Sequence, residues 1–132
     1  MGTCGLMDTL VIRAIERFGE SAEVTLDSGK GEIVAFSHPC DLSVGQVVPN
    51  LLHGMTEHVA AAYLLDWPES LKSERSIERL DRVDGFAYRG CGQVADQAAG
   101  LVEVLGFVLE LGDLPCTGFV EFECMRLDAP DA

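Results

Sequence analysis

Basic residues are scarce in this chain of 132 residues: nine Lys and Arg stand against 22 Asp and Glu, for a formal charge of −13. Binding to a phosphate backbone or an anionic membrane surface draws on clustered cations, so this balance argues against a general nucleic-acid binder and against a membrane-surface protein. No apolar run is long enough to cross a bilayer, and no charged-then-apolar leader is read at the N-terminus. The five cysteines (Cys4, Cys40, Cys91, Cys116, Cys124) are odd in number and include no CxxC pair. That speaks against a disulfide framework and against a ribbon-type zinc site, and sets the expectation of free thiols in a reducing, cytoplasmic compartment. Low-complexity tracts are missing too, as are a glycine-rich phosphate loop and a nucleophile elbow; Gly90-Cys91-Gly92 lacks the third glycine, the helix and the lysine that a phosphate cradle uses.

What the chain does have is β patterning. From Ala22 to Leu26 apolar and polar residues alternate, Asp27-Ser28-Gly29-Lys30-Gly31 supplies a turn, and Ile33 to Phe36 runs on as a second apolar segment, the signature of a hairpin. Gly45 ahead of Val47-Val48 reads as a bend that starts a short returning strand. Thr9 to Phe18 fits a first strand leading through Gly19-Glu20-Ser21 into the hairpin. In the C-terminal half, Phe86 to Val94, Leu101 to Leu111 and Phe119 to Leu127 are strand-like. The 101–111 run is apolar on both faces and reads as one central strand bent at Gly106. Along 119–127, Val120, Phe122 and Cys124 face inward and Glu121 and Glu123 outward.

Between these halves the pattern changes. Met55 to Leu65 carries apolar residues at helical spacing and three consecutive alanines, which predicts a helix; Ser70 to Val83 reads as a second, more polar helical stretch. The expected fold is therefore mainly β: one domain over residues 1–132, a small closed or partly open antiparallel barrel with a helical insert at about 50–85. This element order resembles a Greek-key barrel of the oligonucleotide/oligosaccharide-binding type, with a helix between its third and fourth strands. A short echo, Pro39-Cys40 with Gly45-Gln46-Val47 and Pro115-Cys116 with Gly118-Phe119-Val120, would place the two halves at similar positions in one barrel if it has structural meaning.

Three functional readings follow. The leading one is a non-enzymatic acidic protein that binds a basic protein partner, in the manner of an inhibitor or immunity protein, with no cofactor. The insert and the adjacent loop at 38–45 would form the contact, and the candidate binding residues are His38, Cys40, His53, Trp67, Arg75, Arg79 and Tyr88. The second is a small-molecule or metal-binding barrel in which His38, Cys40 and Cys116 approach one another, His-x-Cys being able to supply two soft or borderline ligands. The third is single-stranded nucleic-acid binding through Lys72, Arg75, Arg79, Arg82 and Arg89 with the aromatics. The acids Glu69, Glu74, Glu78, Asp81 and Asp84 cancel most of that span's field. The 119–127 strand, taken as an exposed edge, is a candidate for pairing two copies.

Overall fold

A computed structural model describes residues 9–38, 40–63, 67–75 and 77–130, except for the side chains of Arg75 and Asp84. Among these described residues, ten strands and one short helix follow in the order β1 (Thr9–Phe18), β2 (Ser21–Asp27), β3 (Glu32–Ser37), β4 (Val47–Pro49), β5 (Leu52–Ala61), α1 (Glu69–Arg75), β6 (Arg79–Asp84), β7 (Ala87–Asp96), β8 (Leu101–Val104), β9 (Phe107–Glu110) and β10 (Phe119–Asp128). The expected hairpin is β2–β3, paired from Ala22↔Ser37 to Asp27↔Glu32. Its turn is closed by Asp27, whose Oδ1 accepts the Gly29 N–H at 2.7 Å. Gly45 does bend the chain, with φ at 89°, and the strand that follows, β4, returns to pair with β1.

Five strands close a barrel. β7, β8 and β9 form an antiparallel meander, β9 meets β5 in a short parallel pairing, and β10 pairs antiparallel with both β5 and β7. The four N-terminal strands extend outward from β10 in the order β3-β2-β1-β4, and β6 extends β7 at the other end. β7 is the strand that must coil most, since one of its edges serves β6 and then β8 while the other serves β10. Gly92 meets this need: a Cβ there would lie 2.6 Å from the Glu103 carbonyl oxygen. The glycines of Gly90-Cys91-Gly92 thus permit close strand approach.

One contiguous apolar core joins barrel and extension. Phe107, Phe122, Leu52, Leu109 and Leu127 come from the barrel; Leu10, Ile12 and Leu26 come from the first strands, and all are essentially inaccessible to solvent. Each side chain of this size contributes about 1.5–3 kcal/mol on burial. The inward set on β10 is as expected, with Val120, Phe122 and Cys124 buried between less buried Glu121 and Glu123.

Several expectations are corrected. Residues 52–61 form β5, not a helix: the pairing with β10 runs from Val120↔Ala61 to Asp128↔His53, and these ladder bonds outweigh a helix preference worth under about 1 kcal/mol per residue. The helical insert is only Glu69–Arg75, and Arg79–Asp84 is strand. The helix therefore follows the fifth strand of the chain and separates the first and second strands of the closed barrel. Residues 101–111 are a hairpin, β8–β9, turning at Leu105-Gly106 with φ of 50° and 84°. β10 is the strand on which barrel and extension meet, not an exposed edge. The two halves also take dissimilar places: β4 lies at the end of the sheet, β10 inside it. Among the described residues no helix is long and apolar enough to cross a membrane.

Candidate functional site

β10 changes partners along its length. It pairs with β7 from Phe119 to Cys124 and with β3 only at Asp128↔Phe36, while β5 stays on its other side. Where β7 leaves and β3 arrives, a cleft of about 230 Å³ opens, lined by Phe36, Ser37, His38, His53, Arg126, Asp128 and Ala129.

Register assembles its chemistry. Phe36 pairs with Asp128, Asp128 with His53, and His53 with Glu110, so four residues from β3, β10, β5 and β9 form one row. Directly opposed residues share a sheet face with Cβ atoms about 4.5–5.5 Å apart. The sequence neighbours Ala35, Leu127, Leu52 and Leu109 are all buried, which leaves this row on the outer face. An imidazole is thus flanked by two carboxylates.

His53 Nδ1 donates to Glu110 Oε1 at 2.6 Å. Asp128 takes a two-pronged contact from Arg126, Nε at 2.6 Å and a terminal nitrogen at 3.3 Å. The Arg126 guanidinium also lies 4.5 Å above the centre of the Phe36 ring, where cation–π attraction favours it. Phe86 meets that ring edge-on at 5.2 Å, and His38 stacks at 6.3 Å. His38 Nδ1 shares a 2.7 Å hydrogen bond with Ser21 Oγ.

The sequence-predicted residues are scattered. His38 and His53 reach the cleft. Cys40 lies just beyond, half-buried against the core, in a segment held by Arg17, which donates to the carbonyls of Cys40 and Leu42 at 2.9 and 2.7 Å. Cys116 sits at the opposite end of β10, its thiol directed to the Phe119 carbonyl at 3.7 Å, so the structure does not bring it to His38 and Cys40. Among the described residues no group of three His, Cys, Asp or Glu side chains converges as a metal site. Tyr88 is 4% exposed, and its hydroxyl accepts the Val34 N–H at 2.8 Å; it is a core residue that ties β7 to β3. Trp67 is half-buried beside α1, and Arg75 ends that helix, its side chain lying outside the described set. Cys4 and Pro39 also lie outside the described residues.

Four of the five basic residues of the span are paired, three of them with acids from distant strands. Arg79 pairs with Glu121 at 3.6 Å, Arg82 with Glu23 at 3.4 Å and Arg89 with Glu123 at 3.8 Å, while Lys72 pairs with Glu69 at 3.3 Å. Sequence reasoning missed Phe36, Glu110, Arg126 and Asp128 as site residues. The i, i+2 spacing of Arg126 and Asp128 on a strand does signal a shared face, but nothing local aligns Phe36, His53 and Glu110 with them. Comparison with protein-family models, with curated proteins and with solved structures found no match.

Proposed function

We propose that this protein is a non-enzymatic binding protein whose acidic surface meets a basic protein partner, in the manner of an inhibitor or immunity protein. The observation that carries this reading is the row Phe36–Asp128–His53–Glu110, in which Asp128 and the Phe36 ring line an open cleft and Glu110 continues the row beyond His53. The chain around it carries a charge of −13. A lysine or arginine side chain entering there shares Asp128 with Arg126, and the net charge of the chain steers its approach. Cytoplasmic action fits the free thiols at Cys40, Cys91, Cys116 and Cys124, the cysteines among the described residues. A small barrel of the oligonucleotide-binding type would invite a single-stranded nucleic-acid reading, but paired arginines and a core Tyr88 lend that little support. The cleft's size and its two histidines favour, as a second reading, a small polar molecule in place of a partner's side chain.

Titrating the isotope-labelled protein with a short oligolysine peptide, followed by NMR, tests the first reading. Shifts concentrated at Phe36, His53, Glu110 and Asp128, affinity lost in Glu110→Gln and Asp128→Asn, and steep weakening with added salt are expected. Shifts spread evenly over every exposed acid, indifferent to those two substitutions, would overturn it.

A further inference from the structure

We infer that two copies of this protein pair through the free edge of β6, antiparallel about a two-fold axis at Leu80. Among the described residues β6 ends the strand order, bonded to β7 on one side only. Among the described residues β7 is also the only element with which it makes more than marginal contact. An open strand edge is a template for another strand. Two apolar side chains flank it in the open, Ile77 at 61% and Val83 at 53% exposure.

The sequence Ile77-Glu78-Arg79-Leu80-Asp81-Arg82-Val83 decides what fits that edge. In a continuous sheet, two identical antiparallel strands are related by an axis along the sheet normal, so opposed residues share a face and some residue lies opposite itself. With Leu80 at that position, Arg79 of one copy faces Asp81 of the second, Glu78 faces Arg82, and Ile77 faces Val83. Every pair is of opposite charge or apolar. Faces agree as well: Leu80 and Arg82 lie over Gly90 and Tyr88 on one side of the sheet, and Arg79 and Asp81 over Cys91 and Arg89 on the other. Neighbouring registers fail. Centring on Arg79, Asp81 or Arg82 sets a charge against its own copy, and Val83 lies where the β6–β7 register shifts between Arg82 and Asp84. Charges that ordinarily protect an edge here select one partner, a second copy, in one register.

The intramolecular contacts leave room for this. Arg79 meets Glu121 at 3.6 Å, and Arg82 donates Nε to the Gly85 carbonyl at 2.5 Å and a terminal nitrogen to Glu23 at 3.4 Å, so the long ion pairs are the contacts a further carboxylate would share. Glu78 uses Oε1 to accept the Leu105 N–H at 2.6 Å, leaving Oε2 for Arg82 of the second copy.

Sedimentation equilibrium of the full chain at moderate salt, where repulsion between two chains of charge −13 is screened, is expected to give twice the 14.2 kDa chain mass. Arg79→Asp alone sets Asp against Asp across the axis, and Asp81→Arg alone sets Arg against Arg, so each variant by itself should be monomeric. An equimolar mixture of the two restores both opposite-charge pairs and should form a heterodimer. A wild-type chain that stays monomeric at the highest soluble concentration, a dimer indifferent to both substitutions, or a mixture that does not associate would each overturn the proposal. Far-UV circular dichroism checks that the variants fold. If either does not, amide exchange on the unaltered protein decides: protection at residues 78–83 should rise with protein concentration, and its independence of concentration would overturn the pairing.

Discussion

Ser28 Oγ donates a 2.6 Å hydrogen bond to the Leu105 carbonyl, joining the turn of the first hairpin to the tip of β8–β9 across 77 residues. That tip is unusual. Leu105 holds φ at 50°, a left-handed conformation that costs a side-chain-bearing residue about 1–2 kcal/mol. Three other elements hold it in place: Ser28 takes the Leu105 carbonyl, Glu78 the Leu105 N–H, and Asn50 the Gly106 carbonyl. Ser28 is 2% exposed. Removing its hydroxyl in Ser28→Ala should lower stability by about 1–3 kcal/mol, because the carbonyl it serves loses its partner. Gly106→Ala should cost a similar amount, since φ is 84° there and a Cβ would stand 2.8 Å from Ser28 Oγ. Urea denaturation with an unchanged m-value would bear this out; stability equal to wild type in both variants would contradict the clamp.

Asn50 contributes to the same clamp from the β4–β5 connection, with Nδ2 donating to the Gly106 carbonyl at 2.9 Å and Oδ1 accepting the Val108 N–H at 3.1 Å. Asn50→Ala strips both bonds from a residue 8% exposed and should cost about 2–3 kcal/mol. Proteolysis in the native state should then cut first near residues 105–106.

Tyr88→Phe keeps the ring in the core but leaves the Val34 N–H without its acceptor. A loss of about 1–2 kcal/mol is expected, with faster amide exchange at Val34. Unchanged exchange there would show that the barrel and the first hairpin do not depend on this link.

Burial pushes the Cys124 thiol up from 9.0 to about 11 and raises Cys91 as well, while desolvation raises Tyr88 above 10.0. All three bind their protons more tightly in the folded state. Their stabilisation is therefore complete below pH 9 and is lost as pH rises through the folded values, Cys124 alone accounting for roughly 2–3 kcal/mol. Thermal melts between pH 8 and pH 11 should show Tm falling, and Cys124→Ala should flatten part of that fall. At pH 8 the half-buried Cys40 and Cys116 should alkylate before the buried Cys91 and Cys124.

Asp27 behaves oppositely. The Gly29 N–H and the Arg13 guanidinium, at 2.7 and 2.9 Å, hold its carboxyl below the usual 3.8. Its stabilisation is present above pH 3.8 and disappears as pH falls through the lowered value. Asp27→Asn should therefore flatten the acid limb of the stability profile below about pH 4. An acid limb identical to wild type would rule out this carboxyl as its source.

Features that depend on near neighbours along the chain are legible from the residues alone. Alternation placed β1, β2, β3 and β10, turn chemistry placed the bends at Asp27–Gly31 and Gly45, and composition set the acidic surface. Each of these is decided within a few residues by pleat, φ or charge. Long-range strand pairing sets the rest. Met55 to Ala61 has the composition of a helix, yet it is a strand because β10 supplies a ladder of partners along it, interrupted at two register shifts. Leu105-Gly106 lacks the Asn-Gly or Asp-Gly signal of a two-residue hairpin, and turns because Ser28, Asn50 and Glu78 hold it. The cleft belongs to this second kind. Phe36, His53, Glu110 and Asp128 lie far apart in the chain, and a one-residue change in the register of any of their strands would turn that residue to the other face. Strand register is a property of long-range pairing, which is why His38 and His53 could be singled out from the sequence but not brought together.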